Sequence, residues 1–312
     1  MPIVRKSPLN GIIPPLVTPL IDNETLDIAS LESLIEHLVQ GGVSGLFILG
    51  TTGEEQSLSY NMRHKMIRES CRINAGRLPL LVCVSDTSIV ESLKMAEVAA
   101  ECGAYAVVSA PPYYAATGQP ELVQFYDELV SQLPLPLFLY NMPSHVKVNF
   151  APETVEQISK NANVIGFKDS SANAVYFQQV MYKMQNRKDF AMFVGPEEIT
   201  GECVLMGADG GINGGANMFP ELYVAMYNAA HAGNLAEVLR LQQLIMQISD
   251  SIYTVGKHSS SYLKGLKCAL SILGIIKDDF VASPFYKFYP PERRKIERAL
   301  AALPIENGKL VF

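Results

Sequence analysis

Val164-Ile165-Gly166-Phe167-Lys168-Asp169-Ser170-Ser171 is an apolar run that ends in a single lysine and passes at once into a polar turn. A run this short and apolar, bounded by turn residues, reads as a buried strand of a parallel sheet. Desolvation at the end of such a strand disfavours an ammonium ion. It lowers the lysine pKa and leaves some free amine at neutral pH. A free amine is a nucleophile that condenses with a carbonyl to give a Schiff base. The competing reading is a lysine that snorkels to water or pairs with Asp169, and fully buried lysines are rare in general. The units on either side of this stretch decide the fold and narrow the choice.

Working outward, the chain alternates between short apolar runs and amphipathic stretches. Strands are predicted at 12–20, 45–49, 78–84, 104–110, 135–139, 164–168, 191–194 and 208–215. Pro14, Pro15 and Pro19 weaken the first of these, because each removes a ladder donor. Helices are predicted at 26–40, 59–74, 89–102, 121–132, 152–160, 174–184 and 220–232, with a short one after Glu198. Gly41-Gly42 is a C-cap signal, Ser59 an N-cap, and Pro152 suits a first helical turn. Eight strand–helix units in about 230 residues match a (β/α)₈ barrel. A doubly wound sheet is the competitor, but no G-x-G-x-x-G follows the first strand. After residue 234 the strand signal stops, and 235–255, 261–273 and 291–302 read as helices. The expected organisation is therefore an α/β barrel domain over 1–234 and a C-terminal helical extension over 235–312, packed on the barrel or on a neighbouring subunit.

The 312 residues carry a net charge of −6 and are 48% hydrophobic. That is ample material for a core, and the mild acidity without Lys/Arg runs argues against a nucleic-acid partner. A small anionic substrate would need a local cationic or amide-lined pocket. Cys71, Cys83, Cys102, Cys203 and Cys268 are dispersed without metal-like spacing, as expected of small core hydrophobes in a reducing cytoplasm. The start, Met-Pro-Ile-Val-Arg-Lys, has no hydrophobic signal core, and no apolar stretch approaches the ~20 residues of a membrane helix. A cytoplasmic protein with no membrane partner is expected.

In a barrel, reactive groups gather at the carboxyl ends of the strands. Those positions hold Gly50-Thr51-Thr52-Gly53-Glu54, Tyr113-Tyr114, Tyr140-Asn141, Lys168, Gly195-Pro196-Glu197-Glu198 and Ile212-Asn213-Gly214-Gly215. Neutral hydroxyls and backbone amides dominate, with one amine. The amides and hydroxyls of Gly50, Thr51 and Thr52 could hold a carboxylate without a full positive charge, or form an ordinary turn. Tyr140 could carry protons, or be a core tyrosine with a satisfied hydroxyl. Glu197 and Glu198 could bind substrate hydroxyls, or simply favour a helix start. His145 and His258 lack a partner pattern for a metal or a triad. With no H-x-x-x-H, C-x-x-C or G-x-S-x-G, catalysis without metal or organic cofactor is the simplest account.

Gly50-Thr51-Thr52-Gly53-Glu54, Tyr140-Asn141-Met142-Pro143 and Gly166-Phe167-Lys168-Asp169 together resemble the dihydrodipicolinate synthase / N-acetylneuraminate lyase family, in order and spacing, over essentially the whole barrel. The resemblance implies a (β/α)₈ barrel, commonly a homotetramer or a homodimer. It also implies class I chemistry, in which a lysine forms a Schiff base with pyruvate or another 2-oxo acid. Lys168 is then the Schiff-base lysine and Tyr140 the proton-transfer residue. Thr51 and Thr52 match the residues that hold the carboxylate and help relay protons. Tyr114 matches a tyrosine that, in the synthase branch, reaches a neighbouring subunit's site. That branch carries an arginine two residues after the Tyr-Asn-x-Pro proline. Here Ser144 and His145 follow Pro143, and a histidine is a poor substitute for a bidentate guanidinium. The turn at Glu198 and the stretch ending in Ile212 resemble the lyase branch. The expected substrate pair is therefore pyruvate with an aldehyde, from a 2-oxo-3-deoxy sugar acid or a sialic acid. Condensation of pyruvate with aspartate semialdehyde, dehydration of a 3-deoxy sugar acid, and a barrel that binds ligand without turnover are the alternatives.

Overall fold

The protein is seen in a computed structural model that describes residues 9–306 and 309–312; the N-terminal hexapeptide read above lies outside the described residues. Eight parallel strands form one sheet. In chain order they are β1 Gly11–Ile12, β2 Leu46–Ile48, β3 Leu80–Cys83, β4 Ala106–Ser109, β5 Leu137–Asn141, β6 Val164–Asp169, β7 Ala191–Val194 and β8 Gly210–Gly211. Successive strands from β2 to β8 pair in parallel, and β8 pairs with β1.

The sheet closes on itself through the proline-rich continuation of β1. The Leu16 amide donates to Phe47 O at 2.8 Å, the Phe47 amide to Pro14 O at 3.0 Å, and the Ser44 amide to Ile12 O at 2.8 Å. Pro14 and Pro15 thus sit where only carbonyls are asked for, so the proline-rich run seals the barrel although its regular strand is two residues long. The glycine-rich eighth strand is likewise shorter than the sequence pattern. A Cβ on Gly210 would lie 1.8 Å from Gly11 O, so the seam between β8 and β1 demands glycine.

Among the described residues eight helices of six residues or more interleave with these strands: α1 Ile28–Gln40, α2 Tyr60–Asn74, α3 Ile89–Glu101, α4 Gln119–Gln132, α5 Pro152–Ile158, α6 Ala174–Met184, α7 Thr200–Leu205 and α8 Pro220–His231, with one further turn of helix at Pro143–Val146. Several begin on a side-chain cap just past a strand-end loop. Asp27 accepts from the Ser30 amide, Ser59 from Met62 and Asn173 from Tyr176. Three more helices follow: α9 Leu235–Ile248, α10 Ser261–Ile272 and α11 Pro290–Ala301. The predicted 235–255 helix divides, because Ser249–Tyr253 winds as a π turn after α9. No helix among the described residues is long and apolar enough to cross a membrane.

The barrel lumen is aromatic below the carboxyl-end rim. Phe138 and Phe193 rings lie 6.2 Å apart, and Phe47 meets Tyr140 edge-on at 6.3 Å. Phe167, one residue off in the β6 alternation, faces outward against Phe150 and Tyr176. This alternation aims Gly166 and Lys168 into the lumen.

Candidate active site

Lys168 stands on β6 directly opposite Tyr140 on β5, as paired residues of the parallel ladder. Its ammonium nitrogen lies 3.9 Å from the centre of the Tyr140 ring and 4.8 Å from that of Phe47. The side chain is 4% exposed, and burial brings its pKa down to about 7, with Cys83 and Asp169 opposing weakly. Asp169 does not pair with it. Alternation turns that carboxylate to the other side, where it accepts from Asn141 Nδ2 at 2.8 Å and Ser171 Oγ at 2.8 Å.

Thr51 and Thr52 occupy a 3₁₀ turn immediately after β2. Leu49 and Glu54 flank it with φ of 58° and 60°, left-handed conformations that cost non-glycine residues energy and mark a constrained loop. Thr51 Oγ1 and the Tyr140 hydroxyl are 3.1 Å apart, and Thr52 Oγ1 and the Tyr262 hydroxyl 3.4 Å. The first amides of a helical turn have no carbonyl behind them within the turn, so the Thr51 and Thr52 N–H groups suit a carboxylate. Burial pushes the Tyr140 phenol up to about 12, against the Thr51 hydrogen bond.

These groups open into one cavity of about 660 Å³ that also meets Tyr113, Met142, Glu198, Ile212 and Phe285. The second wall is built around Glu197, which is buried. Its Oε1 accepts from Tyr223 at 2.6 Å and Tyr253 at 2.7 Å, and its Oε2 from the Gly215 amide at 2.8 Å. Burial first, and the adjacent Glu198 second, raise the Glu197 pKa to about 7.

The family model for the dihydrodipicolinate synthetase family matches residues 8–303. The chain belongs to that family. It is 66% identical to a dihydrodipicolinate synthase structure from Bacteroides thetaiotaomicron, with a TM-score of 0.93, covering 96% of this chain and 100% of that one. It is 25% identical to a prophage protein of the dihydrodipicolinic acid synthase family from Escherichia coli K12, solved in complex with pyruvate. There the TM-score is 0.88 and the coverage 94% and 97%. A probable 2-dehydro-3-deoxy-D-pentonate aldolase from the same strain is 29% identical over 94% of this chain and 97% of its own length.

As a member of the dihydrodipicolinate synthetase family, the chain is a class I carbon–carbon lyase. Lys168, Tyr140, Thr51, Thr52, Glu198 and Ile212 all line the cavity. Gly50 is not among the lining residues, and it is packed so closely that a Cβ would sit 2.5 Å from a Phe47 ring carbon. Tyr114 is not brought to the cavity within one chain. It is fully exposed at φ 81°, and its neighbour Tyr113 lines the wall instead. Sequence reasoning missed Tyr253, Tyr262 and Phe285, because the strand-end rule points only at the barrel loops. It also missed Lys267, buried in α10 and bonded to Glu54 Oε2 and to Phe280 O. A lysine within the apolar run Leu266-Lys267-Cys268-Ala269-Leu270 was the available signal, since such a charge needs a partner.

Proposed function

We propose that this enzyme joins and splits pyruvate and a hydroxylated aldehyde, acting as an aldolase on a 2-oxo-3-deoxy sugar acid or a sialic acid. The observation that carries the choice of aldehyde is the cavity's charge. Among its described lining residues Lys168 and His145 are the basic ones, and Glu54, Glu197 and Glu198 the acidic ones, Glu54 being paired with Lys267. A second carboxylate, such as that of aspartate semialdehyde, would meet acidic groups there without a guanidinium to offset them. Substrate hydroxyls would find acceptors.

The Lys168 amine attacks the 2-oxo carbon, and loss of water leaves an iminium. With the 1-carboxylate on the Thr51–Thr52 amides and hydroxyls, the iminium draws in the electron pair of the C3–C4 bond as it breaks. The 4-hydroxyl proton passes to the Tyr140–Thr51 pair, the aldehyde departs, and an enamine remains. Protonation at C3 and hydrolysis return pyruvate and the amine. Tyr140 is neutral before the iminium forms. A permanent cation about 4 Å from its ring then favours the phenolate and readies it as base. Assembly through Tyr114 with a partner subunit is part of the same reading, and sedimentation of the purified chain tests it.

The synthase reading draws on the 66% identical structure described as a dihydrodipicolinate synthase. Two assays separate the readings: pyruvate release from 2-oxo-3-deoxy pentonate, hexonate and sialic acid, and condensation of pyruvate with aspartate semialdehyde. Release from a sugar acid is expected. Condensation with aspartate semialdehyde and no sugar-acid cleavage would overturn the proposal. Borohydride with pyruvate should label Lys168, and labelling that persists in Lys168→Ala would remove the Schiff base from that residue.

A further inference from the structure

One helical stripe outside the barrel reaches the 197–198 turn at three points. Gln242 Nε2 donates to Glu198 O at 2.7 Å, Ser249 Oγ to Glu198 Oε1 at 2.5 Å, and Tyr253 OH to Glu197 Oε1 at 2.7 Å. The rest of that face is apolar and buried: Leu241, Ile245, Ile248 and Ile252. The last two polar contacts come from the first and last residues of the π turn Ser249–Tyr253. π turns are rare and cluster at functional sites. Here one turn holds two consecutive carboxyl groups in unlike environments. Both Glu197 oxygens are hydrogen-bonded within the protein, with Tyr223 and the Gly215 amide as the other donors. Glu198 is half-buried and lines the cavity, and its Oε2 has no hydrogen bond among the described residues.

We infer that this π turn is a specificity element: Tyr253 withdraws Glu197 from substrate contact, while Ser249 pins Glu198 so that its free oxygen accepts a hydroxyl of the substrate's sugar chain. Ser249 and Tyr253 are positioning residues, and Glu198 is the contact. The inference rests on the hydroxylated-substrate reading above, in which the 197–198 turn meets the hydroxyls, and adds what aims its carboxylates. Two neighbouring carboxyls would otherwise compete for one chain of hydroxyls. Burying and hydrogen-bonding the first leaves a single acceptor with a fixed direction. The burial that keeps Glu197 partly protonated at neutral pH also limits repulsion between the two.

The test is steady-state cleavage of a 2-oxo-3-deoxy hexonate by Ser249→Ala, Ser249→Thr, Glu198→Ala, Glu197→Gln and the Ser249→Ala/Glu198→Ala double variant, with borohydride trapping of pyruvate run beside each. Losing a hydrogen bond to a charged group should raise the Ser249→Ala KM about tenfold, with kcat little changed. Ser249→Thr, which keeps the hydroxyl, should restore most of it. Glu198→Ala should raise KM at least as much, and the double variant no further, because Ser249 acts only through Glu198. Glu197→Gln should change KM by no more than about threefold, the loss of one distant hydrogen-bond contribution. A wild-type KM in Ser249→Ala beside a defective Glu198→Ala overturns this inference alone. So does a full tenfold penalty added on top of Glu198→Ala, or a Glu197→Gln defect as large as that of Glu198→Ala. Normal cleavage by Glu198→Ala, with trapping intact, sinks the hydroxyl-binding reading itself.

Discussion

In the proposed mechanism the chemistry turns on Lys168, and its burial makes two opposed demands. The free amine it needs exists because water is excluded. In the folded enzyme its pKa is about 7, against 10.5 for an ordinary lysine. Between those values the unfolded chain binds a proton that the folded chain does not, so stability rises with pH across that window and the full penalty is felt below it. At about 1.4 kcal/mol per pKa unit, the ceiling is roughly 5 kcal/mol. Lys168→Met should therefore melt higher than the wild type at pH 7, an advantage that shrinks as pH approaches 10.5, while losing all Schiff-base trapping. A variant that melts lower at every pH would show that the lysine's packing outweighs its desolvation. Activity follows pH in the same direction but in a lower window: kcat/KM should fall tenfold per pH unit below about 7, as the amine takes up its proton. Tyr140→Phe should keep the trapping reaction and lose about 10²–10⁴ in turnover, the usual worth of a proton-transfer group. Equal loss of trapping and turnover would instead make the phenol a structural support.

At the scale of elements, β6 works because a glycine precedes the lysine by one alternation. A Cβ at Gly166 would lie 2.1 Å from Phe138 Cε1, so the Phe138 ring occupies the space a side chain would take and forms the floor under Lys168. Gly166→Ala should destabilise by about 1–3 kcal/mol, as overpacked cores do, and slow adduct formation by tilting the lysine. Phe138→Leu in the same chain should recover part of both, read by thermal melting and trapping rate. Absence of recovery would place the strain in the strand backbone. The short apolar run of Val164–Asp169, bounded by turn residues, showed this strand and its lysine in the sequence, and the alternation of apolar runs with amphipathic stretches showed most of the barrel. The seams were less legible. β1 and β8 are two residues each, because their pairing rests on proline carbonyls and glycine backbones, which leave no side-chain alternation to read. The π turn was hidden for the opposite reason. Its sequence continues the helical pattern of α9, and only the tertiary pull of Glu197 and Glu198 distinguishes it.

For the whole molecule, the site is divided between the barrel and the helices that follow it, and the second half was the part the sequence concealed. Thr51, Thr52, Tyr140 and Lys168 stand where barrel geometry says to look. Tyr253, Tyr262 and Phe285 arrive from residues more than eighty positions later, and nothing local marks their destination. The buried ion pair of Glu54 and Lys267 joins the two halves. Glu54 directly follows the Thr51–Gly53 turn, and its Oε1 also accepts from the Ala282 amide at 2.7 Å. The turn proposed to hold the substrate carboxylate is thereby tied to the segment that carries Pro284 and Phe285 to the cavity wall. Removing one partner of such a pair leaves a buried charge and typically costs about 3–5 kcal/mol. Lys267→Met should accordingly lower the melting temperature by several degrees. Because the apolar cores of barrel and extension are continuous, melting should remain a single transition. The same variant should weaken pyruvate trapping although Lys267 lies away from Lys168, since the Thr51–Thr52 turn loses its anchor. Hydrogen exchange provides the decisive reading: protection should fall together in the 51–54 loop and in α10. Loss confined to α10, with trapping unchanged, would mean that the pair only secures the extension and that the carboxylate loop holds its shape unaided.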